Sequence, residues 1–190
     1  RRRSLLALQG FSPTAFDAER LDNLLPPDKL YDAVVMNPPF SATGGRVKGH
    51  NTQFGARHVE QALLRLKPGG RLAAIVGRGM ALERPTFREW WADIEQRYRV
   101  RVNIGMDGST YAKFGTTFDN QIVVIDNDGP TKSEMDIITG TKLSLHAAYE
   151  LVSTLSQEDV HGRICKHDQG TSRRSNATDL STEGSERDGP

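Results

Sequence analysis

The sequence predicts an α/β fold with parallel strands, on three observations. Short apolar runs alternate with segments of helical periodicity between residues 5 and 126, the pattern of strands joined by crossover helices. One run, YDAVVM at 31–36, is apolar almost throughout, as a central parallel strand buried on both faces must be. Directly after it stands an unusual polar and proline-rich segment, at the end of a strand where open α/β folds bind ligands.

Taken in order, LLAL at 5–8 closes a helix and residues 12–16 form a short strand. The strand at 31–36 follows. Val59, Leu63 and Leu66 fall on one face of a helix that ends at Lys67, Pro68, Gly69 and Gly70. RLAAIV at 71–76 is the next strand. Phe87, Trp90, Trp91, Ile94 and Tyr98 recur at three- and four-residue spacing and predict a packing helix over 86–96. Tyr98, Val100, Val102 and Ile104 alternate with Arg97, Arg99 and Arg101, which predicts a half-buried strand. QIVVID at 121–126 supplies one more. Residues 131–152 are expected to form a short helical extension, and residues 153–190, rich in Ser, Thr, Gly, Asp, Glu and Arg, a disordered tail.

Composition narrows the function classes. The 190 residues are 36% hydrophobic and carry 18 glycines, an ordinary apolar content for a globular chain. Lys+Arg (25) and Asp+Glu (24) nearly balance, which excludes an all-over basic coat. The balance is local, however: residues 1–126 hold 18 basic and 13 acidic groups, and residues 127–190 hold 7 and 11. The single cysteine, Cys165, cannot form an intrachain disulfide or a zinc-binding pair. With no apolar run near membrane-spanning length, a cytoplasmic setting without membrane contact is expected.

The segment Asn37-Pro38-Pro39-Phe40 is the candidate catalytic loop. Two prolines fix φ and hold the preceding residues extended. They also lack N–H groups, so the stretch presents carbonyls, to which the Asn37 amide adds another acceptor. Such acceptors suit an amino group whose lone pair is delocalised, as on a nucleobase. Binding its two N–H hydrogens at the Asn37 oxygen and the Pro38 carbonyl favours the tetrahedral nitrogen that develops during alkylation. Phe40 offers a π-face for an extrahelical base, worth roughly 1 to 3 kcal/mol. The competing reading is an Asn-Pro turn followed by a core phenylalanine.

MNPPF after an apolar strand, then a helix, then LKPGGRL leading into a strand, resembles the Asn-Pro-Pro-Phe amino-methyltransferases, which include DNA adenine-N6 methylases. GARHVEQALLRLKPGGRLAAIVGRGM and YAKFGTTFDNQIVVID look more narrowly like the methylase region of bacterial methylase/helicase fusions of the strawberry-notch-like type. The resemblance implies a Rossmann-like class I methyltransferase sheet over residues 1–130 that uses S-adenosylmethionine. Asn37, Pro38, Pro39 and Phe40 would then be catalytic, and Asp17, Ala18 and Asn37 would contact the methyl donor. Asp17 is equally readable as a helix N-cap, and the two roles are compatible. Tyr111 and Phe114 would line the base pocket, or pack in the core. Arg46 and Lys48, in a Gly-rich loop within a locally basic stretch, are candidates for phosphate contact.

The family's glycine-rich loop and the acid ending its second strand have no counterpart before Arg1, so a fragment lacking the first strands is expected. Gly77-Arg78-Gly79 is a weak substitute for that loop in a permuted arrangement. DNA is the expected substrate partner, with RNA bases and glutamine amides as alternatives and a non-catalytic nucleic-acid-binding remnant as the reading from another class. A fused or associated helicase or target-recognition module is the expected protein partner. No metal site is expected, since Cys165, His161 and His167 fall in the tail.

Overall fold

The computed structural model describes residues 2–39, 54–115 and 117–155, and of Phe54 and Phe114 the backbone alone. Among these, five strands form one sheet in the order β1-β2-β4-β3-β5. They are β1 (Tyr31–Met36), β2 (Leu66–Gly77), β3 (Arg99–Met106), β4 (Asn120–Asp126) and β5 (Ile138–Leu143). The β1/β2 and β3/β5 pairs are parallel, whereas β4 runs antiparallel to both of its neighbours. The sheet is thus mixed rather than wholly parallel. Short helices α1 (Arg2–Leu8) and α2 (Leu21–Leu24) precede it, and α3 (Phe54–Leu63) and α4 (Arg88–Arg97) are its crossovers.

The core lies between the sheet and this second pair of helices. Val59 and Leu63 of α3 and Trp91 and Ile94 of α4 close over Leu72, Ala74 and Val76 of β2, Val123 and Ile125 of β4 and Val100 of β3. Both helices repeat apolar residues at three- and four-residue spacing, so each buries one stripe. A Pro85–Phe87 turn of 3-10 helix starts α4 with a proline at its first position, where the missing N–H costs nothing. Phe87, Trp90 and Trp91 meet edge to face, and the paired tryptophans are core, as their spacing suggests.

Several expectations need correction. Strand β1 is not buried on both faces: Ala33 and Val35 are exposed, the latter 85% accessible, while its place at the margin of the described sheet is what a sheet lacking its first strands predicts. Its apolar run reports propensity for a sheet and says nothing of how many neighbours it has. Residues 12–16 form no strand. Helix α3 stops at Leu63, and Leu66 to Gly70 belong to β2. Residues 67–70 bulge out of the β1/β2 ladder between the Tyr31/Leu66 and Ala33/Arg71 pairs, Gly69 taking φ +76°. In β3 every residue after Arg99 is buried, Arg101 included, and a bulge between Val100 and Val102 breaks the alternation. Residues 131–152 contain β5 as well as helix from residue 145. One compact unit ends at Val152, and the predicted tail lies almost wholly outside the described residues.

Candidate active site

The segment after β1 continues the strand's alternation. Val35 is exposed, Met36 half-buried, Asn37 exposed, Pro38 buried and Pro39 exposed. The Asn37 side chain therefore shares the open face of Val35, while Pro38 is anchored toward the helices. Two prolines hold this extended geometry without ladder hydrogen bonds.

Two elements meet beneath the segment. A Cβ placed on Gly55, in the first turn of α3, would lie 3.2 Å from Met80 Sδ and 3.9 Å from the Pro39 carbonyl oxygen. Glycine lets all three approach. Met80 ends the Arg78–Met80 turn that follows β2, so the C-terminal ends of the parallel pair β1/β2 converge here. The connection from β3 to β4 reaches the same end of the sheet, since Asn120 pairs with Gly77 of β2 and Met106 of β3. Within that connection Tyr111 is half-buried in the Gly108–Phe114 turn. Phe114 contributes its backbone to the same turn, and its side chain is outside the described residues.

Asp17 is the N-cap of the Ala18–Arg20 turn, its Oδ1 accepting from Glu19 N–H at 3.1 Å. Both Asp17 and Ala18 are exposed. The turn is tied to α3 by an ion pair of Glu19 with Arg57 at 3.1 Å and by Asp22 N–H donating to Gln61 Oε1 at 2.8 Å. Arg57 sits in the opening turns of α3, so Asp17 and Asn37 lie at the same end of the sheet. An open polar cleft lined by Glu19, Arg20, Asn23, Arg57, Glu60 and Gln61 separates the turn from the helix. Phe40, Arg46 and Lys48 fall outside the described residues.

Buried polar residues that sequence reasoning passed over line the same end. Gln121 and Asn103 are 1% and 2% exposed, and Gln121 Nε2 donates to Asn103 Oδ1. Arg78 Nη1 donates to Gln121 Oε1 at 3.2 Å, and Arg78 Nη2 pairs with Glu83 at 2.7 Å. The Met80 carbonyl accepts from Trp91 Nε1 at 2.9 Å and from Asn103 Nδ2 at 3.5 Å. Asn120 Oδ1 is buried and finds no hydrogen-bond partner among the described residues. The available signal was Asn103, Asn120 and Gln121 interrupting otherwise apolar strands. Near this loop, Asp107 is held below the usual carboxylate range by hydrogen bonds from Ser109.

Against S-adenosylmethionine, the described residues fit in part. Asn37 and Asp17 present acceptors for an amino group, the latter with one carboxylate oxygen already engaged by Glu19 N–H. Among the described residues, no glycine-rich loop and no hydroxyl-binding carboxylate stand at the end of a strand flanking β1 on its open side, because no strand is paired there. No group of three metal-binding side chains occurs among them.

No protein-family model and no curated protein matches the chain. Solved structures do. A modification subunit assigned to a type I restriction enzyme of Vibrio vulnificus YJ016 is similar with a TM-score of 0.56 at 14% identity, over 80% of this chain and 37% of that one. A class I S-adenosylmethionine-dependent methyltransferase of Listeria monocytogenes is similar at a TM-score of 0.49 and 17% identity, over 73% and 44% of the two chains. The type I restriction-modification methyltransferase subunit of Streptococcus thermophilus matches at 0.47 and 17%, over 70% and 31%. The chain spans less than half the length of each. At such identities the likeness is one of fold alone, an α/β fold shared with the Vibrio vulnificus modification subunit.

Proposed function

We propose that this chain carries the amine-binding side of an S-adenosylmethionine-dependent amino-methyltransferase acting on adenine N6 in DNA. The observation that carries the reading is the placement of Asn37 and Pro38 at the C-terminal end of β1, with Asn37 exposed and Pro38 anchored. The methyltransferase fold and the modification-subunit likeness support it. Residues 1–130 are the methyltransferase portion in this reading.

When bound, S-adenosylmethionine supplies an electrophilic methyl group. The chain's part is to ready the nitrogen. Asn37 Oδ1 and the Pro38 carbonyl accept the two N–H hydrogens of the base, drawing its lone pair out of conjugation toward the donor. Phe40 stacks on the base, holding the amine in line. Because Asn37 is exposed, the proton shed at the nitrogen can pass to water at Asn37 Oδ1. In this reading Tyr111 and Phe114 would line the base pocket, Arg46 and Lys48 would contact phosphate, and Asp17 with Ala18 would bind the adenine of the methyl donor. DNA delivery belongs to an associated helicase or target-recognition module.

The test is methyl transfer from labelled S-adenosylmethionine to duplex DNA carrying an unpaired adenine, with binding of that duplex followed separately by anisotropy. Asn37→Ala should lower transfer by about 100-fold or more, the scale for losing one preorganised transition-state contact, and weaken duplex binding far less. Equal transfer by Asn37→Ala and the natural sequence would overturn the reading.

A further inference from the structure

We propose that Asn103 and Gln121 are positioning residues that set the Asn37 and Pro38 acceptors through the Arg78–Met80 turn. The inference rests on the amine-binding reading for its catalytic meaning, and on geometry for the coupling itself. Both amides lie on the helix-covered face, where Gln121 follows the alternation of Val123 and Ile125. That face is otherwise aliphatic and aromatic, and a leucine or methionine would fill the same space. A buried amide pair adds little net stability even when satisfied. What it adds is direction.

That direction can be followed atom by atom. Gln121 holds Arg78, which begins the turn, and Asn103 donates to the carbonyl of Met80, which ends it. Trp91 fixes the same carbonyl from α4. Gly105 leaves the space for this arrangement, since a Cβ there would stand 2.0 Å from Arg78 Nη1. The Met80 side chain then meets Gly55, which also neighbours the Pro39 carbonyl. The amide pair thus fixes both ends of the turn whose Met80 side chain packs at Gly55, the residue that also neighbours the Pro39 carbonyl. Through Pro39 it sets the height and tilt of the Pro38 carbonyl and the Asn37 side chain. Neither amide touches substrate.

The experiment compares Asn103→Leu, Gln121→Met and the double variant by thermal unfolding, amide hydrogen exchange and methyl-transfer kinetics. Each single variant orphans its partner's amide and should be destabilised. The double variant orphans neither amide, and Arg78, which loses the Gln121 acceptor, keeps its Glu83 pair, so it should melt above both single variants. Its amides over residues 54–58 and 78–82 should nevertheless exchange about tenfold faster, with kcat about tenfold lower and KM for DNA unchanged. A pair with a merely structural role would recover activity along with stability. A double variant that exchanges and turns over like the natural sequence overturns the proposal.

If the double variant fails to fold, Arg78→Met tests the same link from its half-exposed end. Faster exchange at 78–82 supports the proposal, and unchanged exchange there overturns it. Faster exchange in variants of a chain that transfers no methyl group at all would remove the methyltransferase reading and leave the mechanical coupling standing.

Discussion

Arg65 shows what one side chain does for the approach to the site. It is 4% exposed, yet its guanidinium donates to the carbonyls of Asp22, Leu25 and Pro26 and pairs with the Asp22 carboxylate at 2.8 Å. One cation thereby ties down the segment that leads into β1. Arg65→Met should destabilise the fold by about 2 to 4 kcal/mol, since three carbonyls lose a charged donor, measured by denaturant unfolding. Glu95 makes the opposite prediction. Burial, with Glu134 nearby, raises its carboxyl above the ordinary 4.5. A raised acid favours the folded state while protonated, so its penalty begins as pH rises past 4.5 and is complete above the folded value. Glu95→Gln should therefore raise stability at pH 7, by roughly half a kcal/mol or less after solvent screening, seen as a higher melting temperature, and leave it unchanged below pH 4. At this scale the sequence singled out Asn37 and Pro38 as candidates, because a polar-proline motif after an apolar strand stands out. It hid Asn103 and Gln121, because an amide inside a strand reads the same whether it faces water or a buried partner.

Among the elements, β2 departs most from its expected form. Its 12 residues include Lys67, Pro68, Gly69 and Gly70, a run that reads locally as a helix stop. Tertiary pairing overrides that reading, with Asn127 closing the bulge through backbone bonds to Gly69 and Gly70. At the start of the bulge, Lys67 pairs with Asp32 at 2.9 Å and lowers that carboxyl's pKa. A Cβ on Gly70 would stand 2.9 Å from the Lys67 carbonyl and 3.1 Å from those of Tyr31 and Asp32. All three are backbone atoms with little room to yield. Gly70→Ala should cost about 1 to 3 kcal/mol by overpacking and loosen β1 selectively, which amide exchange over 31–36 would register. The α4, β3 and β4 segments were legible from periodicity alone, to within a few residues, and β2 only over its second half. Strand β5 was not: ITGTKL is half polar, and it becomes a strand by lying beside β3.

Across the whole molecule, the connectivity was legible and the lateral order was not. Alternating strands and helices announce an α/β sheet, but periodicity does not say that β4 inserts antiparallel between β2 and β3, nor that β1 lies at the margin. That margin has a practical consequence. Among the described residues no strand pairs with the free side of β1, which runs beside an exposed valine, a template on which extended chains can stack and precipitate. In concentrated solution the chain should show scattering that grows with concentration and time. Val35→Lys places a gatekeeper charge on that rim and should suppress the growth while leaving the melting temperature nearly unchanged, because Val35 buries almost nothing. Handling this protein is then a matter of shielding six residues.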